Sequence, residues 1–249
     1  MNASDPSPYR ITLADFTIPF ASFAVFLGAA LLAAETQMDM GMARTVYTIW
    51  ATVALVTPAL CAFALPGNSE RIRNLWLLFW TFSFITYVFH MGYALLSVYH
   101  ASMKEFLAGQ GTFPAIVNVV FTLWWALDVA LAWFYHTDTR WLRIERVAGH
   151  IFIGLTFLAS TVFLKHGFIN VLGALYTISV LICLMIRFDA RIVTDHARQC
   201  YSAALFASFE RLTPGSSRAF PYVLFESTVY TLGLEIKPGG RRRFEPNRY

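Results

Sequence analysis

Asp128 stands in the stretch WWALDVALAW, an acid among large apolar side chains. A carboxyl group in that setting has two uses: it exchanges a proton or binds a ligand, or it sits protonated and hydrogen-bonds a neighbouring helix. Ser83, Thr86, Tyr87, His90, Tyr93 and Ser97 recur at three- to four-residue spacing, which on a helix makes one polar stripe that must face other helices or a cavity. The imidazole of His90 is then either part of a proton path or a neutral group bonded within a helix interface. With Asn118, the polar candidates inside apolar sequence are Asp128, His90, Tyr87, Tyr93 and Asn118.

A further group joins Glu35, Met38, Asp39, Met40 and Met42 of one short segment with His100 and His166. Thioethers combined with imidazoles suit copper, although methionines in a short loop also serve as interfacial packing residues. Haem b is the other cofactor these histidines suggest. Bis-histidine ligation needs two imidazoles on facing helices at similar depth, a condition that His90 or His100 with His166 approaches. His90 with His150 fails it, because they lie near opposite ends of their runs.

Other chemistries lack their residues. The chain has no P-loop, GxGxxG, GxSxG, HExxH or histidine-box cluster, which argues against a nucleotide-driven pump, a serine hydrolase, a zinc protease or a di-iron desaturase. Cys61, Cys183 and Cys200 form no CxxC pair and are expected as free thiols.

The elements that carry these residues are long and apolar. Hydrophobic residues make up 57% of the chain against 14% charged, well below the charged share of about a quarter in soluble domains. Runs at 13–34, 46–65, 75–98, 113–135, 147–164 and 168–186 are each close to the roughly 20 residues that cross about 30 Å of hydrocarbon as helix. Continuous apolarity, without strand-like alternation, favours helices over a barrel. The expected fold is therefore an all-α integral membrane protein with six transmembrane helices. Trp124 and Trp125 are expected to fill helix contacts, and Trp76, Trp80, Trp133 and Trp141 to sit in an interfacial belt. No internal repeat is evident. MNASDPSPYR lacks the basic n-region of a cleavable signal, so the first run is expected to remain as a span.

Charge sets the expected orientation. Sixteen of the nineteen Lys and Arg residues flank the runs on one side; Arg44, Lys104 and Lys165 lie on the other. Arg140, Arg143 and Arg146 are counted in the connection between the fourth and fifth runs. The positive-inside rule then places both termini in the cytoplasm of a bacterial cytoplasmic membrane or its equivalent. The net charge of +4 is a sidedness signal and does not indicate nucleic-acid binding.

Two regions follow: a membrane domain at 1–187 and a cytoplasmic tail at 188–249. In the tail, apolar residues from Phe188 to Leu212 recur at helical spacing and predict an amphipathic helix. After a Pro-Gly break, 220–236 (FPYVLFESTVYTLGLEI) has strand-like composition and precedes Arg241, Arg242 and Arg243. Some sixty residues make a weak independent core, which points to packing against a membrane face or a partner. The sequence thus predicts a lipid-embedded subunit or accessory of a larger membrane complex that contacts other membrane-protein subunits. A redox protein holding haem or copper near the outer face, and a proton-linked small-solute carrier using Asp128 and the His90 stripe, are the alternatives.

Overall fold

The computed structural model describes residues 10–65, 69–135, 139–163 and 167–212, with the backbone alone at 191 and 194–212. Its elements are α1 (Leu13–Ala34), α2 (Met40–Ala64), α3 (Glu70–Tyr93), α4 (Met103–Gln110), α5 (Thr112–Phe134), α6 (Arg140–Leu158) and α7 (Phe168–Leu212). Single π-helical turns extend α3 over Ala94–Val98 and α6 over Ala159–Phe163. No strand occurs among the described residues. Six helices are long and apolar enough to cross a membrane: α1, α2, α3 with its π turn, α5, α6 with its π turn, and α7 as far as Ala190.

Three helices begin before their apolar runs do. α2 starts at Met40, α3 at Glu70 and α6 at Arg140, five to seven residues earlier than hydropathy indicates. Hydropathy detects where apolar residues start, whereas a helix starts where its free N–H groups find a cap. The Asp39 carboxylate accepts the Met42 N–H at 3.0 Å, and the Thr139 hydroxyl accepts that of Leu142 at 3.4 Å. Arg143, Glu145 and Arg146 consequently lie in the first two turns of α6, not in a connection.

Contacts divide the chain into Met1–Asp189 and Ala190–Tyr249. In the first unit, α2 and α3 pack along most of their length, and α1 lies against both. Thr12 and Asp15 form a capping box at the start of α1. The Asn74 side-chain amide of α3 donates to Asp15 Oδ2 and to the Arg10 carbonyl, each at 3.0 Å, and so fixes that end of α1 to α3. The core joins Leu55, Val56 and Ala59 of α2, Leu77 and Trp80 of α3, Phe121 and Trp125 of α5, and Ile153 and Phe157 of α6. α7 is held by specific contacts: Tyr176 donates to the Gly154 carbonyl at 2.9 Å, Arg187 to that of Phe63 at 3.3 Å, and Phe168 meets Trp50. In the second unit the described part is the helical backbone through Leu212. The strand-like segment at 220–236 and Arg241, Arg242 and Arg243 lie outside the described residues.

Candidate functional site

Three helices bring their polar residues together at one level of the bundle. Asp128 of α5 is fully buried, and its Oδ2 accepts the Trp80 indole N–H from α3 at 2.7 Å. Arg146 of α6 places Nε 3.8 Å from Asp128 Oδ1, and His150, one turn further along α6, has Nδ1 3.9 Å from Asp128 Oδ2. The four-residue spacing of Arg146 and His150 puts both on the α6 face that also carries buried Leu142, Ile153 and Phe157.

His150 is fixed in one tautomer by its neighbours. Its Nε2 accepts the Trp76 indole N–H at 2.8 Å, so that nitrogen carries no hydrogen. Its Nδ1 lies 2.7 Å from the Arg146 carbonyl oxygen, which only a ring N–H satisfies. The imidazole is therefore neutral with its hydrogen on Nδ1, and both nitrogens are engaged. Phe63 of α2 and Trp80 of α3 stack on it at centroid distances of 3.9 and 4.0 Å. Arg146 completes the cluster with its guanidinium 5.0 Å from the Trp76 ring. The Trp76 bond to the neutral imidazole contributes about 0.5–1.5 kcal/mol and the Trp80 bond to a carboxyl group up to about 3 kcal/mol, so both indole N–H groups matter to how these helices pack.

Glu145 extends the network toward the outside of the bundle. Its Oε1 accepts the Trp124 indole N–H at 3.0 Å one turn before Asp128 on α5, and the adjacent Arg146 reaches Asp128, which makes the two carboxyl groups neighbours across α5 and α6. Glu145 also lines an outward-facing groove with Val120, Leu123, Trp124 and Leu127.

This geometry corrects the reading of two tryptophans. Trp76 and Trp80 are not in an interfacial belt; they are 5% and 0% exposed, because their N–H groups are the donors that buried His150 and Asp128 require. Trp125 is fully enclosed, whereas Trp141 is exposed. Trp133 donates to Thr81 Oγ1 at 2.9 Å.

The His90 stripe has different partners. His90 Nδ1 lies 2.8 Å from the Thr45 carbonyl oxygen of α2, and the Arg44 guanidinium lies 5.7 Å from the Tyr93 ring. Ser97 lies so close to Gly41 that a Cβ at Gly41 would come within 2.8 Å of the serine Cβ. Tyr87 turns instead to α5, where its hydroxyl meets that of Thr122 at 3.4 Å. Asn118 donates to Gln110 Oε1 at 2.6 Å. Trp80, the partner of Asp128, is ten residues from His90 on α3, roughly 15 Å along the axis. Asp128 and His90 thus belong to two separate polar groups.

The residues considered for copper or haem also have other engagements. Glu35 forms an ion pair with Arg44, Asp39 caps α2, and His100 Nδ1 lies 3.0 Å from Glu105 Oε2. Met38, Met40 and Met42 are exposed, and His166 lies outside the described residues. Among the described residues, no group of three or more His, Cys, Asp or Glu side chains is arranged to hold a metal ion.

Sequence reading identifies Asp128 but misses Arg146, Glu145 and His150 as its company. The available signal is the periodicity of α6 carried upstream of its apolar run: Leu142, Arg146, Gly149, His150, Ile153 and Phe157 share one face. The fold defines a multi-helix chain whose lengths and apolarity suit a membrane, with an acid–base network enclosed by indoles. No protein-family model, curated protein or solved structure matches the chain.

Proposed function

We propose that this chain is a multi-pass membrane subunit or accessory of a larger membrane complex, with both termini in the cytoplasm and the tail at 188–249 docking a partner. The observation that carries this reading is the contrast between the inside and outside of the helices. Asp128 and His150 are closed from solvent, their indole donors come from within the bundle, and the partly buried Arg146 stands beside Asp128. The outward face of α5, by contrast, presents Phe113, Ile116, Val120, Leu123 and Leu127 at helical spacing. α6 presents Trp141, Ile144, Val147, Ile151 and Leu155 in the same way. Such faces suit lipid or the helices of other subunits, since small differences in packing decide between the two. A carrier reading needs a polar route to Asp128, and the grooves at α3 and at α5–α6 are lined almost entirely by apolar side chains.

Native purification in mild detergent, followed by mass spectrometry and an absorption spectrum, tests this. The expected result is co-purification with another membrane protein, and release of that protein when 220–249 is deleted. A full-length chain recovered as a lone monomer would overturn the proposal. A Soret band or stoichiometric copper would favour the redox alternative.

A further inference from the structure

Asp128 and Glu145 form an acid pair whose hydrogen-bond count is incomplete without a proton. One oxygen of each group is satisfied by an indole: Trp80 donates to Asp128 Oδ2 at 2.7 Å and Trp124 to Glu145 Oε1 at 3.0 Å. The other oxygens, Asp128 Oδ1 and Glu145 Oε2, are shut off from solvent and have no hydrogen-bond donor. The two carboxyl groups are neighbours across α5 and α6, since Trp124, one turn before Asp128, holds Glu145, and Arg146, next to Glu145, reaches Asp128; two carboxylates placed together cannot bond, since neither has a hydrogen to give. A single proton converts two orphaned acceptors into a donor and an acceptor, and it removes the repulsion of like charges in a low-dielectric setting.

The charge count leads to the same number. The groups in contact with the pair are Trp80 from α3, Trp124 from α5, and Arg146 and His150 from α6, with Trp76 and Phe63 behind them against His150 and Trp125 against Trp80. Of these, only Arg146 carries a fixed charge, and its Nε is itself buried without a hydrogen-bond acceptor, 3.8 Å from Asp128 Oδ1. His150 is neutral by its own two hydrogen bonds. With one proton on the acid pair, the single positive charge of Arg146, whose side chain is 21% exposed, meets a single negative charge. With none or two, an unbalanced charge would stand beside the fully buried Asp128, which is costly.

We propose that Asp128 and Glu145 together bind one exchangeable proton, with Glu145 standing at the edge of the groove it lines with Val120, Leu123, Trp124 and Leu127. Asp128 is the enclosed member, 0% exposed, and Glu145 is the member at the groove. Binding changes no covalent framework. The proton comes from water, sits between the two carboxyl groups, and returns to water when the pair opens. Because the pair bridges α5 and α6, its occupancy affects how firmly those helices hold together. This inference is independent of whether the chain works within a complex.

Infrared difference spectroscopy on the full-length protein in lipid nanodiscs tests it. The expected result is a protonated-carboxyl C=O band that shifts in D2O, fades as pH is raised, and is lost in both Glu145→Gln and Asp128→Asn. Glu145→Gln should fold, because its amide N–H can donate to Asp128 in place of the proton, and its thermal unfolding midpoint should vary less with pH than that of the unsubstituted chain. The proposal is overturned if the unsubstituted chain shows no such band at any pH where it stays folded, or if the band persists in both variants. It is also overturned if sodium or potassium chloride abolishes the band at constant pH, which would assign the site to a metal cation. Should neither variant fold, the unsubstituted spectrum decides: a D2O-sensitive band that fades with rising pH supports the pair, and its absence overturns it.

Discussion

Trp80 and Trp125 are both fully buried and differ in what their indole nitrogens do. Trp80 donates to Asp128, whereas the Trp125 N–H is enclosed without an acceptor. Replacing either by Phe removes similar volume, so comparing the two isolates the hydrogen bond. Trp80→Phe should cost about 1–3 kcal/mol more than Trp125→Phe, because it leaves a buried carboxylate oxygen without its donor. Thermal unfolding of both variants in the same detergent measures the difference, and equal losses would show that the Trp80 N–H contributes nothing special. His150→Phe tests the neighbouring contact. It retains a flat ring between Phe63 and Trp80 but strands the Trp76 N–H, so it should destabilise by about 1–3 kcal/mol. Asp128 was legible at this scale because an acid in an apolar run is conspicuous by itself. His150 was not, since an imidazole near a helix start looks the same whether it faces water or a stack of rings.

Helix contacts in this molecule turn on a few small residues. A Cβ at Gly173 of α7 would come within 2.5 Å of Thr161 Oγ1 and 2.8 Å of Thr161 Cβ, in the π turn that ends α6. Thr161 and Val162 are the positions whose carbonyls Asn170 Nδ2 satisfies, at 3.0 and 3.2 Å, where the π turn departs from regular helix. Gly173→Ala should therefore push α7 from α6 and destabilise by about 1–3 kcal/mol. Gly28 of α1 has nothing within 4 Å of its would-be Cβ, and Gly28→Ala should be neutral or stabilising by up to about 1 kcal/mol. Melting curves of the two variants side by side test the contrast, and an equal response would mean that the α6–α7 approach is not close. Cys61 of α2 and Cys183 of α7 provide an independent gauge, since both are free, half-buried thiols lying between two contacts that join these helices, Trp50 with Phe168 and Phe63 with Arg187. A short bifunctional thiol reagent should link them, and Gly173→Ala should lower the yield. The six long helices were visible in hydropathy, but the starts of α2, α3 and α6 were not: the first turns of α3 and α6 are polar, α2 opens on a short Met-Gly-Met-Ala stretch ahead of Arg44, and Asp39 and Thr139 cap α2 and α6 while α3 begins without a side-chain cap.

Across the whole chain, the orientation proposed from charge has a direct test. Reporters fused to the two ends should both be cytoplasmic, and reporters on opposite faces would contradict an even number of crossings. Placing Arg143 and Arg146 inside α6 changes that count in detail, because Arg146 points its charge at Asp128 and not at a lipid headgroup. Arg10, Arg71, Arg73 and Arg140 still lie at the ends of their helices, so the asymmetry keeps its sign. The chain's residue order alone determined the number of long apolar helices, their approximate length and the charge asymmetry, because each follows from the transfer of consecutive side chains between water and an apolar medium, a local and additive quantity, whereas the short α4 carries no such signal. Which polar groups meet was decided only by tertiary structure. Trp76, Trp80, Asp128, Glu145, Arg146 and His150 come from three helices up to 74 positions apart, and their pairing depends on the rotation and relative depth of each helix, which no single segment encodes.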